Sequence, residues 1–189
     1  MDYIRLKFAG ISEIGTANRV TVLILTNVEG TRAITIVCDR ATGEQLSLRY
    51  GSRKTDTTGY LPEVMSKIIR EQTMLTLSLE IVDVSDGEYQ ARLVNRASLV
   101  SEPIAMACGL LLALAGDFAI LVSKDLFDRQ SIAFDPASDK LAVPLNSLSE
   151  QLLQEALEEA IRDEKYEFAS SVRDELKKRR ENAENQDNK

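Results

Sequence analysis

The chain has 189 residues, with 23 basic and 30 acidic side chains and no histidine, so its formal net charge is −7. This length suits one domain with a small appendage, and an apolar fraction of 44% can supply a core. The absence of histidine excludes Ser-His-Asp and Cys-His catalytic pairs and His-ligated zinc. Any hydrolysis would have to rest on carboxylates, Lys, Tyr or a hard metal ion.

Hydrophobic patterning predicts an α+β domain with a mixed β-sheet and packed helices over residues 1–129. A Gly-containing turn at residues 27–31 and an Asp-Gly turn at residues 85–88 indicate two β-hairpins. The predicted strands are residues 3–8, 19–25, 33–38, 75–84, 89–94 and 118–122.

Three helices are predicted in the same domain. A short helix covers residues 42–50, and a polar loop, residues 51–60, follows it. An amphipathic helix follows the loop, and Ser101-Glu102-Pro103 is typical of a helix start ahead of a long apolar helix. The apolar face of the amphipathic helix is formed by Leu61, Val64, Met65, Ile68 and Ile69.

Cysteine usage and the apolar runs indicate a cytoplasmic protein without a membrane span. Cys38 and Cys108 lie in apolar runs, so we expect buried free thiols. The chain opens MDYIRLKFAG, with no apolar signal segment. The apolar run at residues 104–116 is shorter than the roughly 20 residues that a spanning helix needs, so a buried helix is expected there.

Charge density rises sharply after residue 150 and indicates a separate C-terminal element. Residues 151–189 hold 8 basic and 11 acidic side chains, against 15 and 19 in residues 1–150. We predict a linker at residues 130–146, a helical hairpin at residues 147–181 and a disordered tail at residues 182–189. The spacing of Ser147 and Glu150 is that of a capping box.

Two apolar stripes predict that the hairpin helices pack on each other and on a partner. The stripes, which a polar break at residues 163–165 separates, are formed by Leu152, Leu153, Ala156, Leu157, Ala160 and Ile161, and by Ala169, Val172 and Leu176.

The hairpin sequence resembles the UVR motif, found in the UvrB and UvrC excision-repair proteins and in some adaptors of Clp protease systems. In that family the hairpin mediates protein–protein contact, so the resemblance implies a partner, including another copy of the same motif. It assigns the contact to Tyr166, Glu167, Arg173 and Asp174. The alternative is a hairpin that packs only on its own domain. The matching residues are Leu157, Ala160, Glu164, Tyr166, Glu167, Ala169, Arg173 and Asp174.

The first domain resembles the bifunctional nuclease (BFN) domain family. Three stretches carry the resemblance: LTNVEGTRAITIVCD (residues 25–39), DVSDGEYQARLV (residues 83–94) and SEPIAMA (residues 101–107). Family members are described as cleaving both DNA and RNA, tend to form homodimers and often carry a C-terminal UVR hairpin. The resemblance therefore implies DNA or RNA as substrate and a homodimer.

Several polar positions of the family pattern are replaced in this chain. The family's glycine after the second strand is Asp39, and the glutamate of its following helix falls on Thr42. The family's histidine falls on Pro62 and its arginine on Leu99, while its Ser-Asp pair becomes Ser-Glu102. The resemblance therefore indicates a divergent member of the family.

Metal-assisted phosphodiester cleavage needs carboxylates that converge on a divalent ion. Glu63 and Glu102 match acidic family positions and are candidate ligands of Mg²⁺ or Mn²⁺, with Asp39 as a third candidate catalytic residue. The alternative is structural, since acidic residues in first helical turns stabilise the helix dipole and Asp39 can simply end a strand.

Basic residues are candidates for contact with a phosphate backbone at two places. Arg49, Arg53 and Lys54 cluster at the loop after the first short helix, where a solvated loop is the alternative. Residues 177–180, Lys-Lys-Arg-Arg, form a run that the helix dipole already explains.

Two functions follow from these patterns. The first is a cytoplasmic metal-dependent nuclease that its hairpin targets. The second is a catalytically inactive binding or regulatory module, in which the hairpin docks a DNA-repair or Clp-type protease partner.

Overall fold

A computed structural model of the chain describes residues 2–14, 20–51, 55–137 and 143–187; for Ile14 and residues 183–187 it describes the backbone alone. The chain divides into two compact units. The first comprises Met1–Asp83 and Tyr89–Ala142, and the second comprises Val84–Glu88 and Val143–Lys189.

The strands lie in one eight-stranded sheet of order β6-β5-β4-β7-β1-β2-β3-β8. Strand β4 pairs in parallel with β7, whereas β1–β2, β1–β7, β2–β3, β3–β8 and β5–β6 pair antiparallel. This mixed sheet with packed helices confirms the predicted α+β class. The strands are β1 (Tyr3–Ile14), β2 (Val20–Asn27), β3 (Arg32–Cys38), β4 (Leu77–Ser85), β5 (Glu88–Asn95), β6 (Ser101–Ala105), β7 (Ala119–Ser123) and β8 (Ile132–Ala133).

The predicted helices are also present, and a short helix follows β7. A 3₁₀ turn, Leu145–Ser147, precedes the C-terminal helix pair. Strand β8 falls in the segment predicted as a linker, and the turn runs from the end of that segment into the predicted hairpin. The helices are α1 (Arg40–Tyr50), α2 (Leu61–Gln72), α3 (Met106–Gly116), α4 (Lys124–Gln130), α5 (Glu150–Arg162) and α6 (Tyr166–Asp187).

The sheet of the first unit is strongly curved. The hydroxyl of Tyr89 on β5 donates to the carbonyl oxygen of Thr35 on β3 at 3.2 Å. Four strands lie between β5 and β3 in the sheet order. A flat sheet would separate β3 and β5 by roughly 24 Å, since neighbouring strands are about 4.8 Å apart. The sheet therefore curls until its two sides come within reach of one tyrosine.

Helices α1 and α3 pack on the same face of this curved sheet. Gly109 of α3 lies so close to Leu79 of β4 that a methyl group in its place would meet the Leu79 side chain at 2.6 Å. Gly43 of α1 lies equally close to the side chain of Thr21 on β2. Strand register aligns Leu79 and Thr21 on one face. Close glycine contacts thus bring both helices down onto the core.

Helix α2 packs on α3, which covers its apolar face only in part. The predicted helix is confirmed, and Ile69 is buried. Leu61, in contrast, is 72% exposed, and Val64, Met65 and Ile68 are between 36% and 39% exposed. An apolar row of this size on a helix surface is typical of an interaction site.

The predicted helix start at Ser101 is wrong. Residues Ser101–Ala105 form β6, an edge strand paired with β5, and α3 begins at Met106 after an uncapped Ala105. Pro103 fits this edge, since a proline on an edge strand can turn its missing N–H away from the neighbouring strand. Ser-Glu-Pro thus marks an edge strand rather than a first helical turn.

The predicted capping box at Ser147 is also wrong. Ser147 lies in the 3₁₀ turn, where its hydroxyl donates to the carbonyl of Pro144. The N-cap of α5 is Ser149, whose side chain accepts from the backbone N–H of Leu152. Both serines precede the same apolar stripe, so local spacing alone selects the wrong one.

The prediction of two buried thiols is only partly confirmed. Cys38 is buried, and burial raises its pKa to about 11. Cys108 is exposed on α3, and both cysteines are free. The apolar run around Cys108 therefore does not bury every face of its helix.

The second unit holds the predicted helical hairpin, in which α5 and α6 pack on each other. Helix α6 continues to Asp187, beyond the predicted end of the hairpin at residue 181 and into the segment predicted as a disordered tail. In the described residues, no helix is both long and apolar enough to span a bilayer. The residues buried in the hairpin include Leu153, Ala160, Ala169, Val172 and Leu176.

Replacing Gly87 by alanine should lower the free energy of unfolding by more than 1 kcal/mol. Gly87 has φ +84°, and an added Cβ would collide with the carbonyl oxygen of Leu148 in the same unit. Gly59→Ala is the matched control, because an added Cβ there meets nothing within 4 Å. Urea denaturation of both variants tests this, and equal stability of the two would contradict it.

Candidate functional site

Two residues predicted for different roles, Arg49 and Glu63, bind each other. Arg49 Nε donates to Glu63 Oε1 and Nη2 donates to Oε2, both at 2.7 Å. Their side chains are only 5% and 18% exposed. Arg49 therefore does not present its charge to a phosphate backbone, and both carboxylate oxygens of Glu63 accept from a guanidinium.

The surroundings of Arg49 complete this ion pair. Nη1 of Arg49 donates to the backbone carbonyl of Gln45 at 2.8 Å and to its side-chain oxygen at 2.9 Å. The guanidinium carbon also lies 5.6 Å from the centre of the Tyr60 ring. Each nitrogen of the guanidinium thus has a partner, so Arg49 joins α1 to the first turn of α2.

The pKa of Glu63 reflects the same contacts. Burial acts to raise the pKa of this carboxyl, but hydrogen bonds from Arg49 and Thr57 outweigh it and hold the pKa below its ordinary value. Glu63 is therefore ionised at neutral pH as one half of an ion pair.

Asp39 caps a helix. Its side chain accepts from the backbone N–H and from the hydroxyl of Thr42, both at 2.8 Å. The bond from the Thr42 backbone is the main cause of a lowered pKa of Asp39. Asp39 therefore ends β3 and begins α1, as its structural interpretation expects.

Replacing Asp39 by alanine should lower the free energy of unfolding by about 1 kcal/mol, the usual cost of a lost N-cap. Asp39→Asn, which keeps an accepting oxygen, should retain most of the stability at neutral pH. Because the folded pKa is lowered, the charge of Asp39 stabilises above the unfolded value near 3.9 and this stabilisation is lost as the pH falls through the folded pKa. Denaturation at pH 7 and at pH 3 tests this. If Asp39→Ala, which has no capping side chain, had the same free energy of unfolding as Asp39→Asn at pH 7, the prediction would be contradicted.

Glu102, the remaining candidate carboxylate, lies on a strand and not in a first helical turn. It is exposed on edge strand β6, opposite Leu93 of β5. Over the described ranges, no three Asp, Glu, Cys or His side chains converge closely enough to hold a metal ion. Within the described ranges the three candidate carboxylates thus do not converge on one ion, and Glu63 is held by Arg49 and Asp39 by Thr42. Arg53 and Lys54 lie outside the described residues.

The hairpin exposes the residues that its motif resemblance selects. Tyr166 is 67% exposed, and Glu167, Arg173 and Asp174 are exposed on α6. The backbone between the helices is held by two turn bonds, from Lys165 N–H to Ala160 and from Glu164 N–H to Ile161, with Glu164 at φ +59°. This Schellman-type closure ends α5 just before α6 begins at Tyr166.

Two further apolar side chains near the turn are exposed: Ile161 belongs to the first predicted stripe, whereas Phe168 belongs to neither stripe. Phe168 on α6 is 46% exposed, and Ile161 on α5 is 55% exposed. We call Ile161, Tyr166 and Phe168 the turn patch. The sequence does contain a signal for Phe168. This apolar residue is adjacent to the buried Ala169 on α6, so it lies out of phase with the buried stripe and outside the α5–α6 contact.

A polar network on the sheet was also missed. Arg92 of β5 donates to Glu80 of β4 at 3.0 and 2.8 Å and to the Tyr3 hydroxyl of β1 at 2.9 Å. These residues are far apart in the chain, and only the strand order brings them together. Burial, followed by the hydrogen bond to Glu80, raises the pKa of Tyr3, so its hydroxyl stays neutral.

Comparison with protein-family models matches no family, and comparison with curated protein sequences finds no match. The BFN and UVR resemblances therefore rest only on the sequence stretches quoted above.

Proposed function

We propose that this chain is a protein-binding module whose C-terminal hairpin docks a partner protein through the turn patch and the charged residues beside it. The observation that carries the proposal is the exposure of Ile161, Tyr166 and Phe168 on a hairpin that already buries its own core. Exposed aromatic side chains ringed by charge are typical of protein contact sites.

The partner that fits this surface is a helical hairpin of the same kind. An apolar patch next to Glu167, Arg173 and Asp174 offers charges of both signs, which suits a partner with a similar mixed surface. The UVR resemblance supports a DNA-repair protein or a component of a Clp-type protease system as the protein that contains this partner hairpin.

The geometry favours this module over a metal-dependent nuclease. A metal ion at Glu63 would have to displace a bidentate arginine, and one at Asp39 would have to remove a helix cap. Cleavage that uses a metal ion on Glu63 or Asp39 thus needs a rearrangement that docking through the hairpin does not.

Isothermal titration of the full chain tests the proposal, with a UvrB-type hairpin as one partner and a purified Clp-type ATPase as the other. A Tyr166→Ser, Phe168→Ser double variant should bind at least about tenfold more weakly, because aromatic contact residues dominate such interfaces. Lys178→Ser, at an exposed position of α6, is the matched control and should bind normally. No binding to either partner, or equal binding by the double variant, would contradict the proposal.

We further propose that the chain is a homodimer held by the apolar row of α2. Leu61, Val64, Met65 and Ile68 together expose a continuous helix face, which an isologous contact would bury. Light scattering after size exclusion tests this: Val64→Lys with Ile68→Lys should give a monomer, while Lys67→Glu on the neighbouring exposed face should not. A monomeric wild-type chain would contradict it.

A cytoplasmic location completes the proposal. Cys108 is an exposed free thiol, which persists best in a reducing compartment.

A further inference from the structure

A groove of about 520 Å³ lies on β5 and edge strand β6 in the first unit. This volume falls within the range of small-molecule sites. Arg92, Gln90 and Ser101 contribute polar side chains to its lining, and Val82, Pro103 and Ala105 contribute apolar ones. The groove thus combines hydrogen-bonding groups with an apolar surface large enough for a small organic molecule.

Strand register places the polar groups together. Arg92 lies opposite Pro103, and Gln90 lies opposite Ala105, so these four side chains share one face of the β5–β6 ribbon. Ser101 lies two positions from Pro103 along β6 and therefore shares that face. Side chains on such diagonal positions are about 7–8 Å apart, close enough to contact one ligand group.

Arg92 is held in place on one side and open on the other. Its Nε and Nη2 donate to Glu80, and Nη2 also donates to Tyr3. Nη1 takes no part in these bonds, and the side chain is 40% exposed. A guanidinium that its neighbours already orient loses little freedom when it binds an oxyanion.

We propose that this groove binds a small organic anion, with a carboxylate or phosphate head on Nη1 of Arg92 and an apolar body on Pro103 and Ala105. Ser101, on the diagonal from Arg92, supplies a further hydrogen bond to the head, and Gln90, on the other side of Arg92 beside Ala105, supplies one to a polar group on the body. Glu80 lies beside the same guanidinium and weakens its attraction for a second anion, so the charge of Glu80 limits the affinity. The site is separate from the hairpin of the proposed function and does not depend on it.

Three probes with one ring separate the head groups: benzoate, phenyl phosphate and the neutral benzamide. Titration of the full chain, followed by amide chemical shifts, should show saturable changes at residues 90–92 and 101–105 with the two anions. Benzamide should bind at least tenfold more weakly than benzoate. Equal binding of benzamide, or changes elsewhere in the chain, would overturn the proposal.

Two substitutions should move the affinity in opposite directions. Glu80→Gln removes the competing charge and should strengthen benzoate binding at least threefold, whereas Arg92→Gln should weaken it at least tenfold. Because Arg92→Gln leaves Glu80 without its partner, a Gln90→Ala, Ser101→Ala double variant at exposed positions gives a second loss that does not depend on that ion pair. Arg96→Gln, at an exposed turn outside the groove, is the control. Binding that Glu80→Gln leaves unchanged would overturn the proposal.

Discussion

Replacing Arg49 by alanine is expected to lower the free energy of unfolding by about 3–5 kcal/mol, the cost of breaking a buried ion pair by removing one partner. The substitution leaves the Glu63 carboxylate, which is only 18% exposed, without its bidentate donor, and it also removes both bonds to Gln45. Urea denaturation followed by circular dichroism measures the loss.

Arg40→Ala is the control for this prediction. Arg40 pairs with Glu44 on the same helix, but both side chains are well exposed, so its removal should change the free energy of unfolding by about 0.5 kcal/mol or less. If Arg49→Ala were no more destabilising than Arg40→Ala, Arg49 would be free to serve another role and the structural account of the pair would be wrong.

The Arg49–Glu63 pair should also show in the pH dependence of stability. The folded pKa of Glu63 is lowered, so the pair stabilises above the unfolded value near 4.3 and this stabilisation is lost as the pH falls through the folded pKa. Arg49→Ala should therefore make the free energy of unfolding less dependent on pH in this acidic range. An Arg49→Met, Glu63→Leu double variant should recover most of the lost stability, since it leaves no unpaired charge.

Replacing Arg179 by alanine should cost about 3 kcal/mol or more in the second unit. Arg179 is 9% exposed, and it donates to the carbonyl oxygens of Leu148 at 2.8 Å and Leu145 at 3.3 Å, and to Glu175 at 3.0 Å. Its removal takes the guanidinium donor from the Leu148 carbonyl and from the largely buried Glu175 carboxylate, whereas the Leu145 carbonyl still accepts from the backbone N–H of Leu148. Faster hydrogen exchange in α5 and α6 measures the effect.

Arg180→Ala is the neighbouring control, because Arg180 is exposed in the same basic run. It should leave hydrogen exchange in both helices unchanged. Equal effects of the two substitutions would show that Arg179 is no more than one cation among four and would contradict this assignment.

Local patterns predicted most of the fold. Alternation and β-branched runs located six strands, and the Asp-Gly pair located the β4–β5 turn, because a turn needs only adjacent residues. The helix start predicted at Ser101 was wrong because it used only adjacent residues. Ser, Glu and Pro are compatible with both a helix start and an edge strand, and only the neighbouring strand distinguishes the two. Strand β6 is defined by its pairing with β5, which no local pattern contains.

The candidate site was less predictable because its contacts are long-range. Glu63 lies 14 residues from Arg49, and each was assigned a separate role from its own surroundings in the chain. Arg92 lies 89 residues from Tyr3, and only the sheet order joins them. In the sequence Arg179 is one of four adjacent cations. It differs from Arg180 because it is buried against a turn more than 30 residues earlier in the chain.

The central claim is that the turn patch binds a partner while Arg49, Glu63 and Asp39 hold the fold. Hydrogen exchange of the full chain, alone and with saturating UvrB-type hairpin or Clp-type ATPase, tests it most directly. The account predicts slower exchange confined to the end of α5 and the start of α6, with α1 and the first turn of α2 unchanged. Protection of α1 and α2 with the hairpin unaffected, or no protection by either partner, would contradict it.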